Sequence, residues 1–173
     1  MLPNVSYERE VRQYQVLDPD TGEIESFPAG QGGRRDAMRR AVDFSHPRLY
    51  RIVIEMVQRW PQLEARAWRA ANLVIRGEVK RPPDDEALAS VASSNEYGDY
   101  LVKARGGLII CDCLDYMEGG APFISESGQR LCKHILATQL TSRLQYRNCG
   151  SCGRKVKADL MDCPHCKGPI TPF

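Results

Sequence analysis

The residues best equipped for chemistry are the seven cysteines, and their spacing sorts them into two groups. Cys111-Asp-Cys113 is followed, after eighteen residues, by Cys132-Lys-His134. Cys149-Gly-Ser-Cys152 and Cys163-Pro-His-Cys166 then stand ten residues apart. Three thiolates with one imidazole, or four thiolates, each complete a closed tetrahedral zinc site with no position left for water. Disulfides use cysteines in pairs and would leave one over, and a reducing cytosol disfavours them. Metal uses every cysteine once. The sequence therefore predicts two structural Zn²⁺ ions, one held by Cys111, Cys113, Cys132 and His134, the other by Cys149, Cys152, Cys163 and Cys166. The four-cysteine set would also accept iron. A redox role for a Cys-x-x-Cys pair would require both pairs to be free of metal.

The elements around these residues must bring them together. Tyr100-Leu-Val-Lys-Ala104 and Leu108-Ile-Ile-Cys111 are β-prone runs joined across Arg105-Gly-Gly107, a strong hairpin signal. Cys111 and Cys113 fall where the second strand ends and the chain can curl round an ion. Cys132 and His134 open an apolar helical run, residues 135–140, whose N-terminal dipole favours thiolate over thiol. At the second site, residues 154–158 suit a strand and 159–162 its return. Gly and Pro beside the cysteines allow backbone N–H groups to turn toward sulfur.

Cys-x-Cys, a variable loop, then Cys-Lys-His-Ile-Leu-Ala over residues 132–137 resembles the SWIM-type zinc finger. Tyr100-Leu-Val102 matches that family's Tyr-x-Val before the hairpin turn, and the likeness covers about residues 97–143. The resemblance implies a ββα module. Such modules occur in bacterial helicase-like ATPases, transposases and recombination-associated proteins, and are taken to bind DNA or proteins. No helicase or transposase catalytic domain surrounds this one, so a stand-alone or accessory protein is expected. Residues 148–170 resemble a zinc ribbon.

Upstream, Tyr14-Gln-Val-Leu17 and Ile24-Glu-Ser-Phe27 flank Asp18-Pro-Asp-Thr-Gly-Glu23, which reads as a β-hairpin. A basic helix is expected over about residues 34–44. His46-Pro47 opens another, Trp60-Pro61 ends it, and Pro61 begins a third that closes at Gly77. Ile52, Val53, Met56, Val57 and Trp60 share one side of the first of these two, and Leu63, Ala67, Ala70, Ala71 and Val74 one side of the second. Arg48, Arg51 and Arg59 lie opposite, as do Arg66, Arg69 and Arg76. Such a face is a solvated surface over a helical-hairpin core, or an arginine stripe for phosphates. Arg81-Pro-Pro-Asp-Asp-Glu86 starts a linker, with a short helix expected over residues 87–94. The resulting architecture is α+β: a β-hairpin and helical domain (1–81), a linker (82–96), a SWIM-like finger (97–146) and a ribbon (147–173).

The chain has 173 residues, 42% apolar and 27% charged, a globular composition. No apolar run approaches the roughly 18 residues of a membrane span. The first ten residues have no hydrophobic signal core, so an intracellular, cytoplasmic or nucleoid-associated protein is expected. The formal charge of +2 becomes about −1 once seven bound thiolates and two Zn²⁺ are counted. Charge is unevenly placed: residues 47–81 carry eight Lys/Arg against three Asp/Glu, 82–131 three against nine, and 132–173 seven against two.

Two functions fit. The first is a nucleic-acid-binding accessory protein, DNA favoured over RNA, using Arg48, Arg51, Arg59, Arg66, Arg69, Arg143, Arg147, Arg154, Lys155 and Lys157, with tyrosines available for stacking on bases. The alternative is a zinc-stabilised protein–protein adaptor. Catalysis is not expected. Gly30-Gln-Gly-Gly-Arg-Arg35 lacks the Gly-Lys-Ser/Thr ending of a phosphate loop, both metal sites are saturated by protein ligands, and no small-molecule substrate is evident.

Overall fold

The hairpin expected around residues 14–27 is present, and a further strand extends it. In the computed structural model, which describes residues 5–82, 86–93, 98–124, 126–157 and 160–168, β1 (Val5–Glu8), β2 (Gln13–Leu17) and β3 (Ile24–Pro28) form an antiparallel sheet in that order. Val5 and Val16 pair across it and are both buried. In the β2–β3 turn, Asp18 Oδ1 accepts a hydrogen bond from the Asp20 amide at 2.9 Å, and Gly22 supplies a φ of 75°. Helix α1 (Gln31–Ser45) lies against the sheet and buries Ala37, Ala41 and Val42. Its glycine-rich start has a packing reason. A Cβ on Gly33 would stand 1.7 Å from the Pro28 carbonyl oxygen, so the helix can begin this close to β3 only with glycine there.

Helix α2 (Pro47–Arg59), one 3₁₀ turn at Pro61–Leu63 and α3 (Glu64–Ile75) follow the expected proline boundaries. Gly77 has φ 68°, and the Glu78 amide reaches back to the Leu73 carbonyl at 2.9 Å, closing α3. The chain divides within α2 into two units, Met1–Glu55 and Met56–Phe173.

The second unit is built on a four-stranded antiparallel sheet, β4 (Val79–Lys80), β5 (Ala87–Ala92), β6 (Asp99–Arg105) and β7 (Leu108–Cys111), in chain order. The helix expected over residues 87–94 is therefore corrected to strand β5. Ala and Leu favour a helix locally, but Ala87, Ala89 and Val91 alternate onto a buried face, and pairing with β4 and β6 overrides that preference. This strand occupies part of the segment expected as a linker. Residues 83–85 and 94–96 of that segment, and residue 97 at the start of the expected finger, lie outside the described residues. Gly106 and Gly107, with φ 57° and 79°, make the tight turn between β6 and β7.

Beyond β7 come a short helix α4 (Leu114–Met117), the small hairpin β8 (Phe123–Ile124) and β9 (Gln129–Arg130), and helix α5 (Lys133–Gln145). Helix α5 packs on β5, β6 and β7 and also on α3. Contact on two sides explains why Ile135, Leu136, Ala137 and Leu140 are all buried although they do not form a single stripe. Strands β10 (Tyr146–Asn148) and β11 (Lys155–Lys157) end the described secondary structure as an antiparallel pair.

Candidate metal centres

Among the described residues, Cys111, Cys113, Cys132 and His134 form one group able to hold a metal ion, and Cys149, Cys152, Cys163 and Cys166 another. Within each group the four ligand atoms lie within 4.8 Å of one another. The seven thiols are free. In the second group the sulfurs stand 3.6 Å apart for Cys149–Cys166 and 3.7 Å for Cys152–Cys163, far beyond a disulfide bond of about 2.05 Å. They match a tetrahedron instead. Metal–sulfur bonds of about 2.3 Å set two sulfurs about 3.8 Å apart.

At the first centre, β7 delivers Cys111 and the next turn delivers Cys113 at the N-terminus of α4. Cys132 caps α5, and His134 lies in its first turn. His134 Nδ1 stands 3.8 Å from Cys111 Sγ and 4.0 Å from Cys132 Sγ, so Nδ1 is the ligand atom. The opposite nitrogen, Nε2, is buried with no hydrogen-bond partner among the described residues. The Tyr100 ring lies beside the imidazole, centroids 4.8 Å apart, and fixes its plane. All four ligands are at most 2% exposed. So many buried thiols cannot share charge without an ion. Hydrogen bonds from Cys111 and Cys132 pull the Cys113 thiol far below its usual range. Cys111 is pushed up, chiefly by its hydrogen bond to Cys113. For Cys132 the hydrogen bond with Cys111 lowers the pKa, but Cys113 and burial prevail and raise it to about 11. A dication at the centre removes this conflict and allows all three to ionise.

The second centre is made of two matching knuckles. In the first, the Cys149 amide donates to the Arg154 carbonyl at 2.8 Å and the Gly153 amide to the Cys149 carbonyl at 2.8 Å. In the second, the Cys163 amide donates to the Gly168 carbonyl at 3.0 Å and the Lys167 amide to the Cys163 carbonyl at 2.9 Å. The equivalent positions Gly153 and Lys167 both have positive φ, 70° and 58°. Backbone N–H groups of Cys152 and Ser151 lower the Cys149 thiol to about 6. At Cys163 desolvation opposes, but the N–H groups of Cys166 and His165 bring the pKa down. The Gly168 N–H lowers the Cys166 thiol, yet local desolvation and the hydrogen bonds with the other three thiols raise it to about 12. Cys149 and Cys163 are buried with Val156 and Leu160, whereas Cys152 and Cys166 are exposed.

Several supporting residues have no sequence motif. Arg66 on α3 grips the loop that carries the first centre: its guanidinium meets both Asp115 carboxylate oxygens, at 2.9 and 3.2 Å, and the Gly120 carbonyl at 2.8 Å. Those hydrogen bonds hold Arg66 charged above its ordinary range. The buried Gln129 amide accepts from the Ile109 N–H at 2.9 Å and donates to the Ile109 carbonyl, standing in for a ladder partner of β7. Between the two cysteine ligands, Asp112 Oδ1 accepts from the Leu101 amide at 2.9 Å and ties β7 to β6.

The candidate nucleic-acid residues are dispersed. Arg48 and Arg51 lie in the first unit, half-buried and exposed respectively. In the second unit, Arg59 pairs with Glu126 at 3.3 Å and covers the Trp60 ring, and Arg66 is held as described, while Arg69 is exposed. Arg143, Arg154, Lys155 and Lys157 are exposed. The Arg147 backbone lies in β10, but its side chain is outside the described residues.

No protein-family model, curated protein or solved structure matches this chain. The ligand clusters are consistent with zinc-binding modules, and no family match identifies the first as a SWIM-type finger. No helix among the described residues is long and apolar enough to cross a membrane.

Proposed function

We propose that both centres hold structural zinc and that the chain is an intracellular accessory protein that binds nucleic acid, DNA in preference to RNA. Zinc is favoured by the ligand chemistry: thiolate-rich tetrahedra with four protein ligands apiece, which leave no open position for an activated water. The order hairpin, Cys-x-Cys, loop, Cys-x-His at a helix start supports a SWIM-type finger, and the paired knuckles support a ribbon.

One observation carries the nucleic-acid reading. On β11, Val156 is buried against the cysteines, so Lys155 and Lys157 project from the opposite face. Their cross-strand partners on that face are Asn148 and Tyr146. Tyr146 is 38% exposed, and the Lys155 ammonium lies 4.6 Å from its ring. An exposed aromatic ring flanked by cations, on a rigid metal-braced ribbon, offers stacking to a base and charge to the neighbouring phosphates.

Fluorescence anisotropy of zinc-loaded protein with labelled single- and double-stranded DNA, at about 50 and 200 mM salt, tests this. Binding should weaken steeply with salt and be lost in Lys155→Glu/Lys157→Glu. Tyr146→Ala should weaken single-strand binding by about 1–3 kcal/mol, the range for base–aromatic stacking. Absence of binding at the lower salt removes the reading.

A further inference from the structure

The second unit contains a groove of about 900 Å³ that neither metal centre uses. It opens at the β6–β7 turn end of the four-stranded sheet, beside the C-terminal half of α5. This volume is near the upper end of the range for ligand clefts, about 300–1,000 Å³. Its walls are mainly apolar, with Leu88, Leu108, Ile109, Ile124 and Met56 among them, and Leu88 and Leu108 remain 49% and 41% exposed. Leu88 is presented by the irregularity in β5, where the register shifts between Ala87 and Ala89. Leu88 is the extra residue there, unpaired opposite the Val102–Lys103 step of β6.

We propose that this groove binds a short acidic, apolar-anchored segment of a partner protein. Charge is the first argument. Lys80, Arg81 and Arg143 line the groove, and among the described residues no Asp or Glu does. Asp99, which lies 3.7 Å from the Lys80 ammonium, is outside the lining. Such a groove accepts carboxylates at its rim and rejects basic segments. The second argument is the polar lining. Gln139, Ser142 and Gln145 of α5 offer both donors and acceptors, the complement of a peptide backbone, whereas a phosphate chain would use donors only. Trp60 Nε1 and Thr141 Oγ1, from two further lining residues, are buried with no hydrogen-bond partner among the described residues. A bound backbone reached by small side-chain shifts would satisfy them. The mainly apolar walls supply the pockets that anchor alternate or i, i+3/i+4 side chains. The groove borders the ribbon face at Ser142, whose Oγ accepts a hydrogen bond from the Lys155 ammonium at 3.4 Å, so Lys157 rather than Lys155 serves to tell the two proposals apart.

The test is selection of a random 12-residue peptide library against the full zinc-loaded chain, followed by titration of the enriched peptides. Enriched sequences should combine apolar residues with Asp or Glu. Arg81→Glu should weaken them at least tenfold, as should Leu108→Glu, while Lys157→Glu leaves them unchanged. Arg81 is exposed, so its variant reports even if Leu108→Glu disturbs the sheet. Absence of enrichment, enrichment of basic peptides, or indifference to Arg81→Glu would overturn the proposal. Competition by an oligonucleotide that itself needs Arg81 and Leu108 would overturn it in favour of a nucleic-acid groove.

Discussion

The two knuckles of the four-cysteine centre make a matched experiment, because one has glycine and the other lysine at the same backbone position. Gly153 has φ 70° and Lys167 φ 58°, each following its cysteine by four residues and donating to that cysteine's carbonyl. Left-handed backbone costs a non-glycine residue about 1–2 kcal/mol. Glycine's greater freedom in the unfolded chain offsets about 0.5–1 kcal/mol of that difference. Nothing lies within 4 Å of a Cβ built on Gly153, so Gly153→Ala should cost about 1 kcal/mol through conformation alone. Lys167→Gly should stabilise by about 0.5–1 kcal/mol. Folding of this region is coupled to metal binding, so both effects appear as metal affinity, about fivefold weaker and two- to fivefold tighter. Competition with a chromophoric zinc chelator measures this, and the first centre, in the same chain, is the internal reference. Equal affinities for Gly153→Ala and the parent chain, or shifts of the same sign in both variants, would refute the symmetry argument.

Three further outcomes are expected. Arg66→Met should destabilise the second unit by about 1–2 kcal/mol in urea denaturation, the range for hydrogen bonds to a charged group reduced for partial exposure; an unchanged midpoint would show that the Asp115 pair contributes nothing. Gly33→Ala should cost at least about 2 kcal/mol, because a Cβ 1.7 Å from the Pro28 carbonyl oxygen forces the helix start to move; thermal melts of the first-unit signal check it. Metal affinity of the second centre should weaken as pH falls, because protons compete with the metal for the thiols. In the metal-free site the Cys149 thiol is depressed from 9.0 to about 6, so its thiolate favours the folded knuckle fully above 9, and that contribution is lost as pH falls through about 6. Chelator competition at pH 7.5 and pH 5.5 reads this, and equal apparent affinities at the two pH values would contradict it.

The ligands were legible because coordination chemistry demands particular residue types at short spacings, and Cys-x-Cys, Cys-x-His and paired Cys-x-x-Cys need no knowledge of the fold to be seen. The Gly106-Gly107 turn and the Gly77 cap were legible for a similar reason: positive φ selects glycine. Strand β1 was hidden because its turn to β2, residues 9–12, has no Gly, Asn or Pro and places Arg12 at φ 53°. Strand β5 was hidden because its alanines and leucine favour a helix, and only the neighbouring strands make it extended. The Arg66–Asp115 clamp joins residues 49 apart in sequence, and Arg66 read alone was one more member of a cationic stripe. Its occupation, and that of Arg59, shifts the candidate nucleic-acid surface from the helices toward the ribbon.

The central claim is that two independent four-ligand zinc centres hold the second unit together. The direct test is native mass spectrometry of the full chain, with near-ultraviolet circular dichroism on the same samples. The parent should carry two zinc ions, Cys113→Ser and Cys149→Ser one each, and the double variant none, with tertiary signal lost as the ions are removed by chelation. Fewer than two ions in the parent, or an unchanged tertiary signal after both are stripped, would contradict the account.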